Sequence, residues 1–284
     1  MIGAVKTHTH PSGLLAELDA LGLAPGSWVA TDADGTLWGA DVADVAWQRV
    51  LSEKLLRSAA CDALERLAAA SGAAPTGDPY AAAHALYALY MNGAIGDGPL
   101  IEAMCVCYAG WSEAEVRAFG EDLYRRQIAT RVYETTLPLL EGIAARGLRL
   151  AVVSGSPRLL VETCVRALGV QATVCGTASH PVDGVLDARM VEPITWEEGK
   201  VAALEAAQEG APIAVAFGDT EGDWALLDAA TTLAVLVHPR PGLRRRALQR
   251  EEAGRGRWCV LAPPKTVGGH TVRVPESDRP LAQA

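Results

Sequence analysis

The sequence predicts an α/β fold in which a parallel sheet is covered by helices on both faces and interrupted by an all-helical insert. Three observations carry this. Short apolar runs alternate with segments of helical apolar spacing, near the start of the chain and again after residue 137. Three of those runs end in polar, glycine-bearing loops: Asp32-Ala33-Asp34-Gly35-Thr36, Ser154-Gly155-Ser156, and Gly218-Asp219-Thr220-Glu221-Gly222-Asp223. From Asp41 to Arg131, by contrast, β-rich runs are absent.

The elements follow in order. A short amphipathic helix over Gly13 to Leu23 ends at Pro25-Gly26, and the apolar run of strand Ser27–Thr31 delivers Asp32. Helical spacing then marks Val42–Arg57, Ala60–Ala70, Pro79–Met91, Pro99–Tyr108 and Glu113–Ala129. Ser112, followed by Glu113 and Glu115, reads as a helix start with acids in the first turn. After Leu137-Pro138 the alternation resumes with helix Pro138–Arg146, strand Leu148–Val153 and helix Pro157–Leu168, with Pro157 at a first helical position. Strand Ala172–Cys175, a hairpin around Asp183-Gly184, helix Trp196–Ala207, strand Ile213–Phe217, helix Asp223–Ala229 and strand Leu233–Val237 complete the pattern. The expected organisation is a core made of residues 1–40 and 132–262, a helical insert over 41–131, and a polar, loosely packed tail over 263–284.

Bulk chemistry narrows the function. The chain has 284 residues, half of them hydrophobic, enough to bury a substantial core. Its formal charge is −9, from 34 acidic against 25 basic residues, which argues against a general nucleic-acid binder. Six cysteines, Cys61, Cys105, Cys107, Cys164, Cys175 and Cys259, show no zinc or redox spacing and read as small buried hydrophobes in a reducing cytosol. No signal pattern or membrane-length apolar run is present, so a cytoplasmic protein with no membrane partner is expected, as a monomer or a homodimer. Thr7-His8-Thr9-His10 could hold a metal, but a solvated terminus is the expectation; Arg244-Arg245-Arg246 reads as a solvated helix face.

Two carboxylates one residue apart, Asp32 and Asp34, repel each other unless a cation or a shared proton offsets the cost. Parallel strands bring all three loops to one sheet edge, where α/β folds place their ligands. Ser154, with Gly155, at a helix start offers a hydroxyl and free backbone N–H groups to a phosphate, and Lys200 early in a helix after Gly199 adds positive charge. Asp32, Asp34, Asp219 and Asp223 form a hard oxygen site suited to Mg2+. Each part alone has a plainer reading, as a turn, a solvated lysine or a helix start. Their joint order, each at its own strand or helix end, points to phosphate chemistry.

From about residue 27 to 240 this constellation resembles the haloacid dehalogenase superfamily of aspartate-nucleophile phosphatases. The resemblance implies a Rossmann-like core with an inserted helical cap and a Mg2+-dependent phosphomonoester hydrolase that acts on a small phosphorylated metabolite. It implies that Asp32 is the nucleophile, forming an aspartyl-phosphate, and that Asp34 is the general acid/base. Mg2+ would be held by Asp32, the carbonyl of Asp34 and Asp219, with Asp223 and Thr36 in support, while Ser154, Gly155 and Lys200 hold the phosphate. Asp34 argues against a dehalogenase, because family dehalogenases lack this second acid. The helical insert matches the cap class of the phosphoserine phosphatase-like branch. There Asp41, seven residues after Asp34, stands where phosphoserine phosphatases carry a glutamate that contacts the substrate amine. Asp41 and Trp38, which adjoins the loop, are candidate substrate contacts; Trp38, Trp47, Tyr87 and Tyr90 could line a cation–π pocket, with core packing the expectation for any one of them. Gly35 departs from that branch's usual Ser, and Ser156 stands where a further Gly is usual. The alternatives are a phosphotransferase or mutase on the same scaffold and a catalytically inactive binding module.

Overall fold

The computed structural model describes residues 6–252, 257–262, 266–267 and 270–271. The chain runs through β1 (Lys6–His8), α1 (Pro11–Leu21), β2 (Trp28–Thr31), α2 (Val42–Ser52), α3 (Ser58–Ala70), α4 (Pro79–Met91), α5 (Asp97–Val106) and α6 (Glu113–Leu123). It continues through α7 (Thr136–Ala145), β3 (Arg149–Pro157), α8 (Arg158–Ala167), β4 (Thr173–Thr177), the hairpin β5 (Ser179–Val182) and β6 (Val185–Met190), and α9 (Glu198–Gln208). The last elements of the core are β7 (Ile213–Gly218), α10 (Trp224–Asp228), β8 (Leu233–Val237), α11 (Pro241–Glu252) and β9 (Trp258–Leu261).

Seven strands form one parallel sheet in the order β1-β9-β8-β7-β2-β3-β4. This is a Rossmann-like α/β architecture. Alternation along the strands sends Val29, Leu150, Val152 and Val235 to one face, with α1, α7 and α8, and Ala30, Ala151, Val153 and Ala234 to the other, with α9, α10 and α11. The helical segment α2–α6 leaves after β2 and returns before β3. Its buried residues, among them Trp47, Leu64, Leu86 and Leu123, are continuous with the first of these two apolar faces.

Several boundaries move for identifiable reasons. The helix over Val42–Arg57 stops at Ser52, because Lys54 takes a left-handed φ of 55° that ends the α spiral. The segment Glu113–Ala129 leaves α geometry at Leu123 and continues as a π-helical turn, Tyr124–Ile128. Pro157 closes β3 and caps α8 rather than opening the helix. The hairpin turns at Asp183 and Gly184 with φ of 51° and 78°.

Of the amino-terminal pattern Thr7, Thr9 and His10 are exposed as expected, but His8 is buried in β1, which pairs with β9. Both strands were illegible because Lys6–His8 is too short to show alternation and Trp258–Leu261 follows a basic, polar segment. Five of the six free cysteines are buried and Cys61 is half-buried. Arg244, Arg245 and Arg246 are exposed on α11. Most of the tail lies outside the described residues; within it Thr266–Val267 pairs antiparallel with His270–Thr271. No helix among the described residues is long and apolar enough to cross a membrane.

Candidate active site

The chain winds outward from β2 through β3 to β4, then crosses back to lay β7 against the other side of β2. The sheet's winding direction reverses there, at the edge where open α/β sheets place their ligands, and the loops that follow β2 and β7 meet across it. Asp32 directly follows β2, and its backbone N–H still donates to the carbonyl of Phe217 at 3.0 Å, which fixes it at the sheet's carboxyl edge. Gly35 turns the chain with φ of 84°, and a Cβ there would lie 2.2 Å from Asp219 Oδ2. Any side chain at 35 would therefore displace the carboxylate opposite.

Lys200 joins the acids. Its Nζ donates to Asp32 Oδ1 at 2.6 Å and to Asp223 Oδ1 at 2.5 Å. The lysine reaches so deep because its helix starts tight against the preceding loop: a Cβ on Gly199 would lie 1.8 Å from the carbonyl oxygen of Ile194. Asp223 is fully committed, since its Oδ2 accepts from the backbone N–H of Asp219 (3.0 Å) and Thr220 (2.9 Å) and from the Thr220 hydroxyl (3.2 Å). Asp32 and Asp219 are less occupied. Asp32 Oδ2 is buried with no hydrogen-bond partner, and Asp219 Oδ1 receives only a long 3.4 Å bond from Thr36 Oγ1.

Asp34 faces a different neighbourhood. Its Oδ1 accepts from Trp38 Nε1 at 2.8 Å and from the Val42 backbone N–H at 2.9 Å. Its Oδ2 accepts from the Ser154 hydroxyl at 3.0 Å and the Ser156 hydroxyl at 2.7 Å. The carboxyl end of β3 thus clamps the carboxylate that follows β2. Trp38 is fully buried, with its ring N–H on Asp34. Asp41 is exposed and caps α2 through the Asp44 backbone N–H at 2.9 Å. Tyr87 and Tyr90 are half-buried on α4, with the Tyr90 hydroxyl donating to Asp97 at 2.9 Å, while Trp47 is buried in the core.

Three residues escaped sequence reasoning. The role of Ser156 is a contact across 122 positions that no local pattern announces. Trp196 packs at the back of the site, where a Cβ on Gly222 would meet its ring at 2.3 Å, and Lys200 Nζ stands 6.0 Å from that ring's centroid. Arg240 donates its backbone N–H to the Asp219 carbonyl at 2.9 Å and brings Nε to 3.7 Å from Asp219 Oδ2. Its one sequence signal was its place just beyond β8.

The electrostatics follow from the packing. Asp32, Asp219 and Asp223 are buried, with Lys200 buried among them and Arg240 at the margin. Burial, then repulsion from Asp223, pushes the Asp32 carboxyl up to about 7 against the opposing pull of Lys200. Burial and the charges of Asp223 and Asp32 hold Asp219 well above the carboxylate range. Burial disfavours the Lys200 ammonium, but Asp223 and Asp32 outweigh it and hold its pKa above the usual lysine value. The acids exceed the cations, and one buried carboxylate oxygen stands free. This donor set fits a hard divalent cation, and one ligand atom each from Asp32, Asp219 and Asp223 lies within 4.8 Å of the others.

The model of the haloacid dehalogenase-like hydrolases matches residues 29–228, from β2 through α10. The chain belongs to this family. Among curated relatives, phosphoserine phosphatase SerB1 of Mycobacterium tuberculosis H37Rv is 31% identical over 145 residues, covering 50% of this chain and 46% of that protein. Phosphoserine phosphatase SerB2 of the same strain is 38% identical over 102 residues, covering 34% of this chain and 24% of its own. The chain thus spans about half the length of the first of these relatives, and less of the second. Among solved structures, a protein of unknown function from Bordetella pertussis Tohama I shares the fold with a TM-score of 0.62 at 24% identity, over 84% of this chain and 99% of that one. A HAD family hydrolase from Salmonella enterica serovar Typhi follows with 0.54 at 17% identity, over 82% and 73%.

Proposed function

We propose that this HAD-family chain is a Mg2+-dependent phosphomonoester hydrolase acting on a small organic phosphate through an aspartyl-phosphate. The observation that carries the reading is Asp32: a buried carboxylate with one oxygen on Lys200 and the other unpartnered, in a cluster with Asp219 and Asp223. The names of the mycobacterial relatives agree with phosphate ester chemistry.

The residues divide the work. Asp32 and Asp219, whose oxygens are the least committed, would hold Mg2+ together with the backbone carbonyl of Asp34. When bound, the cation offsets repulsion between carboxylates and phosphate and stabilises charge on the transferring group. Asp32 attacks phosphorus as the bond to the leaving oxygen breaks, and Asp34 gives that oxygen its proton. Asp34 then takes a proton from the water that attacks the acyl phosphate, releasing inorganic phosphate and restoring Asp32. Lys200, fixed by Asp223, balances the phosphate's charge, while the Ser154 hydroxyl beside Gly155, which donates to Asp34 and accepts from the Ser156 N–H at 3.0 Å, lies at the same edge and would turn to one of its oxygens. Residues 41–131 act as the cap over this edge, with exposed Asp41 at its root as a substrate contact. The six free cysteines agree with a cytoplasmic setting.

The test is hydrolysis of an aryl phosphate in Mg2+ by purified protein. Asp32→Asn should lose roughly 10^3-fold or more in kcat. Asp34→Asn should lose about 10^2–10^4-fold, as expected for removal of a general acid/base. Turnover at the wild-type rate in Asp32→Asn would rule out the nucleophile assignment.

A further inference from the structure

A second convergence of ligating side chains lies at the far edge of the sheet. β1 pairs parallel with β9 in the register Lys6↔Cys259, Thr7↔Val260 and His8↔Leu261. In a parallel ladder, registered residues point to the same face and alternate residues share it. Lys6, His8 and Cys259 therefore look toward one side, the side that α1 covers with Glu17. Three elements distant in sequence deliver an imidazole, a carboxylate and a thiol to one point.

The geometry is close. His8 Nε2 stands 2.6 Å from Glu17 Oε2, and one ligand atom each of His8, Glu17 and Cys259 lies within 4.8 Å of the other two. His8 is 7% exposed, Cys259 0%, and the Glu17 side chain 11%. Among the described residues no hydrogen bond to the Cys259 thiol competes with a ligand, and its sulfur converges with the imidazole and the carboxylate. Four-coordinate Zn2+ takes N and O donors at about 2.0–2.1 Å and S at about 2.3 Å, which sets donor–donor edges of roughly 3.3–3.6 Å. The three atoms reach those edges through side-chain shifts on the order of 1 Å.

We propose that His8, Glu17 and Cys259 form a structural Zn2+ site that fastens β1 and α1 to β9, with a water as fourth ligand. The donor set selects the metal: thiolate with imidazole suits zinc, whereas the all-oxygen cluster beyond β2 suits Mg2+. Charge closes as well, because one thiolate and one carboxylate neutralise a divalent cation in a buried place. On binding, zinc replaces the thiol proton of Cys259 and the proton shared by His8 and Glu17, and both leave to solvent. Lys6, 3.1 Å from Glu17 and with its side chain 62% exposed, can swing away to open the entry path. The structural need is plain. β1 has three residues and forms an edge, a marginal strand without a fastening.

The inference is independent of the phosphatase reading, and its test reads a different signal. The full chain, freed of metal by a chelator, is titrated with Co2+ as a spectroscopic stand-in for Zn2+. We expect a near-ultraviolet thiolate-to-cobalt band that saturates at one equivalent and is displaced by one equivalent of Zn2+. Carboxylates beyond β2 cannot produce that band. In Cys259→Ser the band should vanish while Mg2+-dependent turnover of aryl phosphate stays unchanged. Where that variant does not fold, Glu17→Gln serves, with Zn2+ affinity by chelator competition expected to fall at least about tenfold. No thiolate band in the wild type, a band that persists in Cys259→Ser, or unchanged zinc affinity in Glu17→Gln overturns the proposal.

Discussion

Asp32 meets three demands that conflict in water-free surroundings: it is buried, it neighbours other acids, and the proposed attack on phosphorus needs it ionised. In the metal-free protein the first two win, which is why its carboxyl rises to about 7. The linkage sign follows. An unfolded aspartate releases its proton near pH 3.8, whereas the folded one keeps it to about 7, so the native state binds the extra proton across that window. Stability gained from it is complete at the acid end and is lost as pH rises through the folded value; Asp219 acts in the same direction. Thermal melts in chelator should therefore show the melting temperature falling between about pH 5 and 7.5, and Asp32→Asn should flatten that slope. Identical pH slopes in the two proteins would refute the account. At this scale the sequence was most legible where an acid closes an apolar run, as for Asp32, Asp34 and Asp219. It was silent for Ser156 and Arg240, whose meaning lies in partners brought together only by the sheet.

Among the elements, the helical insert packs α6 against α8 and is also stitched to the hairpin by a backbone seam. The Gly110 and Leu186 amides exchange bonds with the Leu186 and Trp111 carbonyls at 2.7 and 2.8 Å, so the turn between α5 and α6 extends the β5–β6 hairpin. Ser112 sits at this seam, bridged to Val185, and starts α6 with a capping box: its Oγ accepts from the Glu115 N–H at 3.2 Å, and its own N–H donates to Glu115 Oε2 at 2.8 Å. Replacing Ser112 by Ala removes the acceptor for an amide at the helix start. The expected cost is about 1 kcal/mol of unfolding free energy in a denaturant titration, with kcat unchanged. A loss within about 0.3 kcal/mol would mean that solvent satisfies that amide equally well. The Ser112 start was readable because it depends on residues within one turn of each other. The seam with β6 was not, since hairpin and turn are joined by backbone groups that carry no sequence signal.

For the whole molecule, the sheet order matters more than any single loop. β2 lies between β3 and β7, so acids borne on the loops after β2 and β7 can meet only once strands distant in sequence have paired. The cluster is therefore a property of the native state, absent from the unfolded chain. A cation that binds there stabilises folding by RT ln(1 + [L]/Kd), about 2.7 kcal/mol at one hundred times Kd. For a chain of 284 residues that corresponds to a rise in melting temperature of roughly 4–5 °C. Mg2+ added to chelator-treated protein at pH 7.5 should produce that rise. Asp219→Asn should remove it, because Asp219 is one of the two acids with oxygen to spare. Cys259→Ser should leave it intact, because Cys259 lies two strands away from β7 in the sheet order. Zinc should show the opposite dependence, its stabilisation surviving Asp219→Asn and failing in Cys259→Ser. A Mg2+ shift of equal size in wild type and Asp219→Asn would place the cation elsewhere, and with it the chemistry assigned to Asp32.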